Sequence, residues 1–597
     1  DDQGDTLASE QALYDLHAQG YVGGLTAGAQ SVMASFNSWH GDKIHGNRYL
    51  LTDVLKNKMG FDGFVVGDWN GHGQIVGCTN DNCPQAANAG LDIFMVPTDA
   101  WKPLMANTIA QVKQGVIPQA RIDDAVSRIL RVKLRAGLFN KPSPANRLFS
   151  GKTELVGSEA HREVARQAVR ESLVLLKNKA NILPLSPKLT ILVAGDAAHN
   201  IGKQSGGWSI TWQGTNNSNE DFPGGSSIFD GLAAQVKAAG GNITLSEQGD
   251  FVDKPDVAIV VFGEEPYAEG HGDKDNLAYQ RGMQTDLALL KKLKAQGIAV
   301  VSIFISGRPM WVNAELNASD AFVAAWLPGS EGKAVADVLL TDQHNKIQHD
   351  FKGKLSFSWP KTATQTANRF DEVYEPLLPY GFGLTYQNNA EKTLLSDTLS
   401  EEVSSDVSMV KNTVIFSGKV AKPWQMFLAS NQQSTELKSN SARLPGVVYR
   451  TVDKVVQEDA FRLETNGSAK AGVIFSSAFR EDLAFELEQK SSLVMTIKRD
   501  SDISKSVAVE MHCESIGDAL GSCRAAIDIQ KQLQALPLGQ WQNIAISLKC
   551  FADQGVKMNE IVSPFALYTA GTAKLSISKL RFEPQTAGQQ VLAIPCP

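Results

Sequence analysis

The stretch Gly60-Phe-Asp-Gly-Phe-Val-Val-Gly-Asp68-Trp69-Asn70-Gly71 decides how the first part of the chain is read. Its centre, Gly63 to Asp68, is a short apolar run bounded by glycine and a carboxylate, the pattern of a buried parallel strand. Ser31 to Phe36 and Asp92 to Val96 repeat that pattern on either side. Helix-patterned sequence lies between and after these runs. Tyr49 to Lys58 is one such segment, and Arg121 to Leu138 is an amphipathic one approached through Pro118, with acids in its first turn. Strand alternating with helix predicts a parallel α/β layer.

Working outward, the pattern breaks between Phe139 and Gly157, where Pro142, Ser143 and Pro144 mark a linker. A second α/β region follows. Its expected strands are Thr190 to Ala194, Val257 to Phe262, Ala299 to Ile305 and Phe322 to Trp326, with helices from Glu159 to Leu176 and Gln284 to Ala295. After residue 390 short alternating strands such as Ser492 to Lys498 and Ala573 to Leu580 signal an all-β sandwich or jelly roll. The polar, acidic, Ser-rich segment from Ala390 to Ser408 reads as the second linker. The expected domains are therefore 1–140, 166–389 and 413–597, joined by linkers over 141–165 and 390–412.

Composition narrows the function. Of 597 residues, 43% are hydrophobic, enough for several cores. Lys and Arg number 57 against 64 Asp and Glu, a net charge of −7 without a basic block, which argues against a nucleic-acid partner. No run of 18 apolar residues occurs, so no membrane-spanning helix is expected. The six cysteines fall as Cys78 and Cys83, Cys513 and Cys523, then Cys550 and Cys596. Their even count suits an oxidising compartment, periplasmic or secreted, with the pairing left open. The absence of CxxC and HExxH argues against zinc, and there is no GxSxG elbow, P-loop or GxGxxG after a strand. His40 and His45 match no metal-ligand spacing and read as structural.

Four places could carry chemistry. Asp68 ends an apolar strand, where α/β folds build their sites, although Asp is also a favoured helix N-cap. Its neighbour Trp69 tips the balance, because aromatic faces beside carboxylates grip sugar rings. The Gly-rich loop Ser205-Gly-Gly-Trp208-Ser-Ile-Thr-Trp212-Gln-Gly214 holds two tryptophans that are either core anchors or a stacking platform. Glu331, in Trp326-Leu-Pro-Gly-Ser-Glu331-Gly, is a solvent turn residue or a placed acid. The segment Gly263-Glu264-Glu265-Pro-Tyr267-Ala-Glu269-Gly-His271-Gly-Asp273 could supply a proton donor or line a cleft.

The Asp68 stretch, followed by Ala89 to Val96, Gly115 to Pro118, Arg121 to Leu130, Ser172 to Asn178, Gly206 to Gly214, Ser306 to Pro309, Trp326 to Gly332 and Tyr380 to Thr385, resembles the family 3 glycoside hydrolases. Within that family it looks most like the exo-acting β-glucan glucohydrolases and bacterial exo-β-glucosidases. The resemblance implies a TIM-like β/α barrel, of which residues 1–140 would be the closing part, then an α/β sandwich and an all-β jelly-roll domain. It implies Asp68 as nucleophile and Glu331 as acid/base of a retaining mechanism, with no metal or organic cofactor. Trp69 and Trp212 match the pair that clamps the leaving glucosyl unit, Trp208 a neighbouring aromatic, and Met33 and Glu265 further substrate contacts. The implied partner is a β-glucan or β-gluco-oligosaccharide. A β-xylosidase or β-N-acetylglucosaminidase of the same family, or a non-catalytic glucan-binding envelope protein, would share part of this pattern. Only Trp424 and Trp541 of the ten tryptophans lie after residue 390, so that domain reads as structural or homo-oligomer-forming rather than glucan-binding.

Overall fold

The computed structural model describes residues 3–596 except 216, 275, 280–283, 367–368, 388–412, 422–423, 432, 438–439, 456–457, 478–480, 482, 515–522 and 585–590. The expected linker over 390–412 thus lies outside the described residues. The chain divides into two compact units, residues 1–156 with Glu269–Asp273, and residues 157–268 with 274–597.

In the first unit, β1 (Ser31–Met33) and β2 (Phe64–Val66) pair in parallel, Val32 opposite Val65. One further parallel bridge joins Val66 to Ile93, so the run Asp92 to Val96 adds a single bridge where a strand was expected. The helical turn Tyr49–Lys58 and helices α1 (Trp101–Lys113) and α2 (Gln119–Arg135) accompany them. Leu51, Leu55, Phe61, Val65 and Leu91 form the core.

What fixes β2 is a buried charge network. The Asp92 carboxylate accepts from the Val65 N–H at 2.8 Å and from Lys56 Nζ at 2.8 Å, and pairs with Arg121. Arg121 also donates to the Ala87 carbonyl at 3.0 Å, and Arg128 donates to the Phe61 and Gly63 carbonyls at 2.7 and 2.9 Å. Removing one partner of so buried a set costs about 3–5 kcal/mol. The polar positions of α2 therefore hold the strand that leads to Asp68.

The second unit opens with α3 (Glu159–Ser172), which begins inside the stretch 141–165 expected to be linker. The helix stops at Ser172, short of the expected Leu176, and β3 (Val174–Asn178) follows. Val174, Leu175 and Leu176 are all buried, and a short continuous apolar run fits a buried helix or a sheet strand equally well. Next come β4 (Thr190–Ala194), α4 (Ile228–Ala238), β5 (Asn242–Leu245), β6 (Val257–Gly263), α5 (Thr285–Ala295), β7 (Ala299–Ile305), β8 (Ala321–Trp326) and α6 (Lys333–Leu339). The sheet order is β3-β8-β7-β6-β4-β5, parallel except for β3. Ile259 and Val261 of β6 pack with α4 and α6, while Val260 and Phe262 pack with α5 on the other face. Burial on both faces is why these strands read as unbroken apolar runs.

Beyond residue 412 two sheets, of nine and six strands among the described residues and antiparallel except where Leu592–Ile594 pairs in parallel with Trp541–Ser547, enclose one core. Ser491–Arg499 pairs with Thr572–Pro584 at its centre. The expected strand from Trp541 to Cys550 stops at Ser547, whose hydroxyl accepts from the Lys549 N–H and caps a short helix, Leu548–Ala552. Disulfides join Cys78 to Cys83, Cys513 to Cys523 and Cys550 to Cys596, with Cα atoms 4.8, 5.5 and 5.1 Å apart.

Candidate active site

Asp68 leaves β2 at its carboxyl end and sits half-buried in a turn. Its N–H donates to His45 Nε2 at 2.9 Å, its Oδ1 accepts from the Trp69 N–H at 2.7 Å, and its carbonyl accepts from the Gly71 N–H at 3.0 Å. Asn70 holds the turn with φ +51° and donates its N–H to the Met95 carbonyl at 3.0 Å. His45 is buried beneath, and that burial, reinforced by neighbouring His72, pushes its pKa down to about 4. The ring is therefore neutral near pH 7, with its proton on Nδ1 and Nε2 free to accept. A Cβ on Gly71 would come within 2.3 Å of this ring, so only glycine allows the turn to close over it. Met33, opposite Val66 at the end of β1, is 48% exposed beside the turn.

In the second unit the carboxyl ends of the parallel strands carry the remaining candidates, the edge where open α/β sheets collect ligands. The loop after β4 holds Trp208 and Trp212, whose rings meet edge-on with centroids 6.4 Å apart, and the Trp208 N–H donates to the Trp212 carbonyl at 2.8 Å. Trp208 is exposed. Trp208 and Ile210 have φ of +57° and +63°. Such left-handed backbone at non-glycine residues costs of order 1–3 kcal/mol each and concentrates at binding sites. The loop packs on the segment after β6: a Cβ on Gly207 would lie 2.0 Å from the Tyr267 carbonyl, and Gln213 exchanges hydrogen bonds with the Ala268 backbone at 2.9 and 3.2 Å.

Arg308, from the loop after β7, secures that segment. Its guanidinium lies 4.3 Å from the Tyr267 ring centroid and pairs with Glu264 at 3.2 Å. Glu265 accepts from Lys203 Nζ at 3.0 Å, and the same buried ammonium pairs with Asp196 at 2.9 Å. Glu269 follows in a tight helical turn with φ +50°, half-buried, and belongs to the compact unit that contains Asp68.

Glu331 lies in a different environment. Its side chain is 2% exposed, with Oε1 accepting from Arg162 Nη1 at 2.9 Å and Oε2 from Arg166 Nε at 3.1 Å. It is neither a solvent turn residue nor an acid aimed at a ligand. A general acid must present its proton to the departing oxygen, whereas both oxygens here face guanidinium groups inside the protein. The geometry is that of an internal ion pair tying the turn after β8 to α3.

The residues that reading along the chain passed over are those that position others: His45, Lys203, Arg308 and the arginines of α3. One signal was available. Arg162, Arg166 and Arg170 recur every four residues along α3, and Arg170 pairs with Asp337 of α6 at 2.8 Å.

Comparison with known proteins adds an independent line. Residues 2–132 match the glycosyl hydrolase family 3 N-terminal domain, 173–386 the glycosyl hydrolase family 3 C-terminal domain, and 422–582 a galactose-binding domain-like module. The crystal structure of an exo-1,3/1,4-beta-glucanase from a Pseudoalteromonas species is 43% identical, with a TM-score of 0.66, covering 100% of this chain and 72% of that one. A lysosomal beta glucosidase of Dictyostelium discoideum is 32% identical over 60% of this chain and 46% of its own length. A periplasmic beta-glucosidase of Salmonella typhimurium is 30% identical over 68% of this chain and 59% of its own length. The chain thus spans about half the length of these curated relatives.

Proposed function

The chain belongs to glycosyl hydrolase family 3, and on that footing we propose that it is an exo-acting, retaining β-glucosidase releasing glucose from the non-reducing ends of β-glucans and β-gluco-oligosaccharides. The observation that carries this reading is Asp68, a carboxylate at the end of a parallel strand whose backbone is pinned by a buried, neutral histidine. A nucleophile must be held within a fraction of an ångström of its line of attack, and fixing the backbone beneath it does this.

In this reading Asp68 attacks the anomeric carbon to form a covalent glucosyl ester, and an acid protonates the departing oxygen and then deprotonates the incoming water. Retaining enzymes hold the two carboxyl groups about 5–5.5 Å apart. We assign the acid/base role to Glu269 in place of Glu331. Glu269 shares a compact unit with Asp68 and follows a segment braced by Arg308 and Gln213, whereas both Glu331 oxygens are engaged by arginines. Trp69, Trp208 and Trp212 offer the aromatic faces on which sugar rings stack, with Met33 beside Asp68. Glu265 acts with Lys203 to orient the loop.

Residues 1–140 are read as part of a TIM-like barrel, 166–389 as an α/β sandwich and 413–597 as a jelly-roll domain. Three disulfides suit an oxidising, periplasmic or secreted setting. Replacing Asp68 by Asn tests the function. Hydrolysis of an aryl β-glucoside should fall at least about 10³-fold, and the wild type should release glucose first as its β-anomer by NMR. An α-anomer, or full activity in the Asn variant, would overturn the reading.

A further inference from the structure

The turn that carries Asp68 does not end at Gly71. Its hydrogen bonds continue: the Gly73 N–H donates to the Asn70 carbonyl at 2.9 Å, the Ile75 N–H to the His72 carbonyl at 3.2 Å, and the Cys78 N–H to the Ile75 carbonyl at 2.9 Å. The run closes on the Cys78–Cys83 disulfide, whose cysteines lie five apart in the same compact unit. The catalytic reading uses the start of this run and leaves its far end unexplained.

That far end is built to hold. Within the bridged loop Thr79 and Asn82 exchange backbone hydrogen bonds at 2.9 and 3.1 Å. Helix α1 grips the loop from outside, Asn107 donating to the Asp81 carbonyl at 2.8 Å and Gln111 to the Asn82 side chain at 2.6 Å. The loop in turn grips His72. The imidazole Nε2 lies 2.9 Å from the Asn80 carbonyl oxygen, to which it donates, and Cys83 Sγ lies 3.4 Å from the His72 carbonyl oxygen. His72 is buried, and its ring meets Phe94 edge-on with centroids 5.1 Å apart. Burial pushes the His72 pKa down, so the ring is neutral near pH 7. A Cβ on Gly73 would come within 2.0 Å of the Asn80 side-chain oxygen, so loop and turn are laid directly together. Ile75 packs on Gly46, where a Cβ would stand 3.1 Å away, next to His45 in the chain. The Asp68 turn is thus anchored at two points, by His45 at its start and by the grip of the bridged loop on His72 beyond it.

A bridge across so short a loop restrains the unfolded chain less than a long one does, so its effect on global stability is small. Its effect on the turn is local. With the bridge open the loop is free to leave His72, and a segment with fewer anchors opens more often. A shift of even 1 Å at a reacting group lowers rates steeply.

We propose that His72 and the Cys78–Cys83 bridge are positioning residues for the nucleophile: the closed bridge, acting through the His72–Asn80 hydrogen bond, holds the turn that carries Asp68 and Trp69. Opening the bridge lowers turnover without unfolding the protein. The proposal rests on the reading of Asp68 as nucleophile. Cys83 is buried and Cys78 half-buried, so a dithiol reductant reaches Cys78 first. Its thiolate bonds to Cys78 Sγ as the S–S bond breaks, and the electron pair leaves on Cys83 Sγ, which takes up a proton. The second thiolate of the reductant then displaces Cys78, which is protonated in turn. The products are two cysteine thiols and one oxidised, cyclic dithiol.

The test uses the full chain as wild type, as Cys78→Ser with Cys83→Ser, and as Cys513→Ser with Cys523→Ser for a control bridge in the β-sandwich. His72→Leu removes the donor, and His72→Gln keeps one at nearly the same reach. Each protein, shown by thermal unfolding to be folded at the assay temperature, hydrolyses an aryl β-glucoside with and without dithiothreitol. Alkylation and mass spectrometry report when Cys78 and Cys83 are free, and hydrogen exchange of the peptide spanning 64–76 reads the turn itself. Reduction should lower kcat of the wild type and of the control about 10–100-fold, leave KM within about threefold, and speed exchange in that peptide. The Cys78→Ser, Cys83→Ser protein should start at the lowered kcat and ignore the reductant. His72→Leu should match it, and His72→Gln should recover most of the loss. Should the double variant not fold, the reduced wild type and the His72 pair decide. An unchanged kcat or unchanged exchange in reduced wild type, a loss confined to KM, or a reductant response that survives without Cys78 and Cys83 would overturn the proposal. If reduction speeds exchange but the wild type leaves the aryl glucoside intact, the clamp stands and the nucleophile reading falls.

Discussion

Glu331→Gln separates the two roles that a buried glutamate could play. The substitution keeps the volume but removes the charge between Arg162 and Arg166. Losing one partner of a buried ion pair costs about 3–5 kcal/mol. Here the arginine side chains keep 19% and 13% of their accessibility, and both retain other acceptors in Gly157, Pro223, Glu159 and Glu163. The lower part of the range, roughly 2–3 kcal/mol, is therefore expected. At about 2–4 °C per kcal/mol for a domain of this size, calorimetry should show the α/β transition roughly 4–12 °C lower. Turnover of the folded variant at low temperature should stay within about tenfold of wild type, since no group touching substrate is lost. Glu269→Gln should do the reverse, keeping stability but losing about 10²–10⁴-fold on substrates with poor leaving groups. With an activated leaving group, where breakdown of the glucosyl ester limits turnover, azide should speed the variant by attacking that ester to give glucosyl azide. A Glu331→Gln variant with unchanged melting, a large loss of turnover and azide rescue would overturn this assignment and return the acid/base role to Glu331.

Two buried titratable groups predict opposite pH slopes in the two units. His45 has its pKa lowered from 6.5 to about 4, chiefly by burial, so the unfolded chain binds its proton first. Stability of the first unit should fall as pH drops from 6.5 toward 4, by up to about 3 kcal/mol, and His45→Gln should flatten that slope in pH-dependent melting. Glu315 has its pKa raised by burial from 4.5 to about 7, so its favourable contribution is present below pH 4.5 and lost as pH rises through 7. Glu315→Gln should therefore stabilise the α/β region at pH 8 by about 2–3 kcal/mol and leave it unchanged at pH 4, as measured by denaturant unfolding.

The strands of the second unit were readable because a sheet buried on both faces needs unbroken apolar runs. Thr190–Ala194 and Ala299–Ile305 fall where the sequence places them. Val174–Asn178 was hidden because it continues directly from α3 and joins the sheet antiparallel, a pairing that no local pattern encodes. In the site, Asp68 and the tryptophans stood out through their neighbours in sequence. The environment of Glu331 did not, because Arg162 and Arg166 lie some 170 residues earlier in the chain. A glutamate in a Gly-rich turn looks the same in sequence whether it faces solvent, a substrate or two guanidinium groups. His45 was read as merely structural because its contribution is one hydrogen bond to a backbone N–H, which has no sequence signature.

If Asp68 is the nucleophile of a retaining β-glucosidase, its glucosyl ester can be trapped. The protein is incubated with 2,4-dinitrophenyl 2-deoxy-2-fluoro-β-glucoside, digested and mapped by mass spectrometry. One deoxyfluoroglucosyl group is expected, on the peptide carrying Asp68. A label on a different carboxylate, or no label on protein that hydrolyses the parent dinitrophenyl glucoside, would contradict that role.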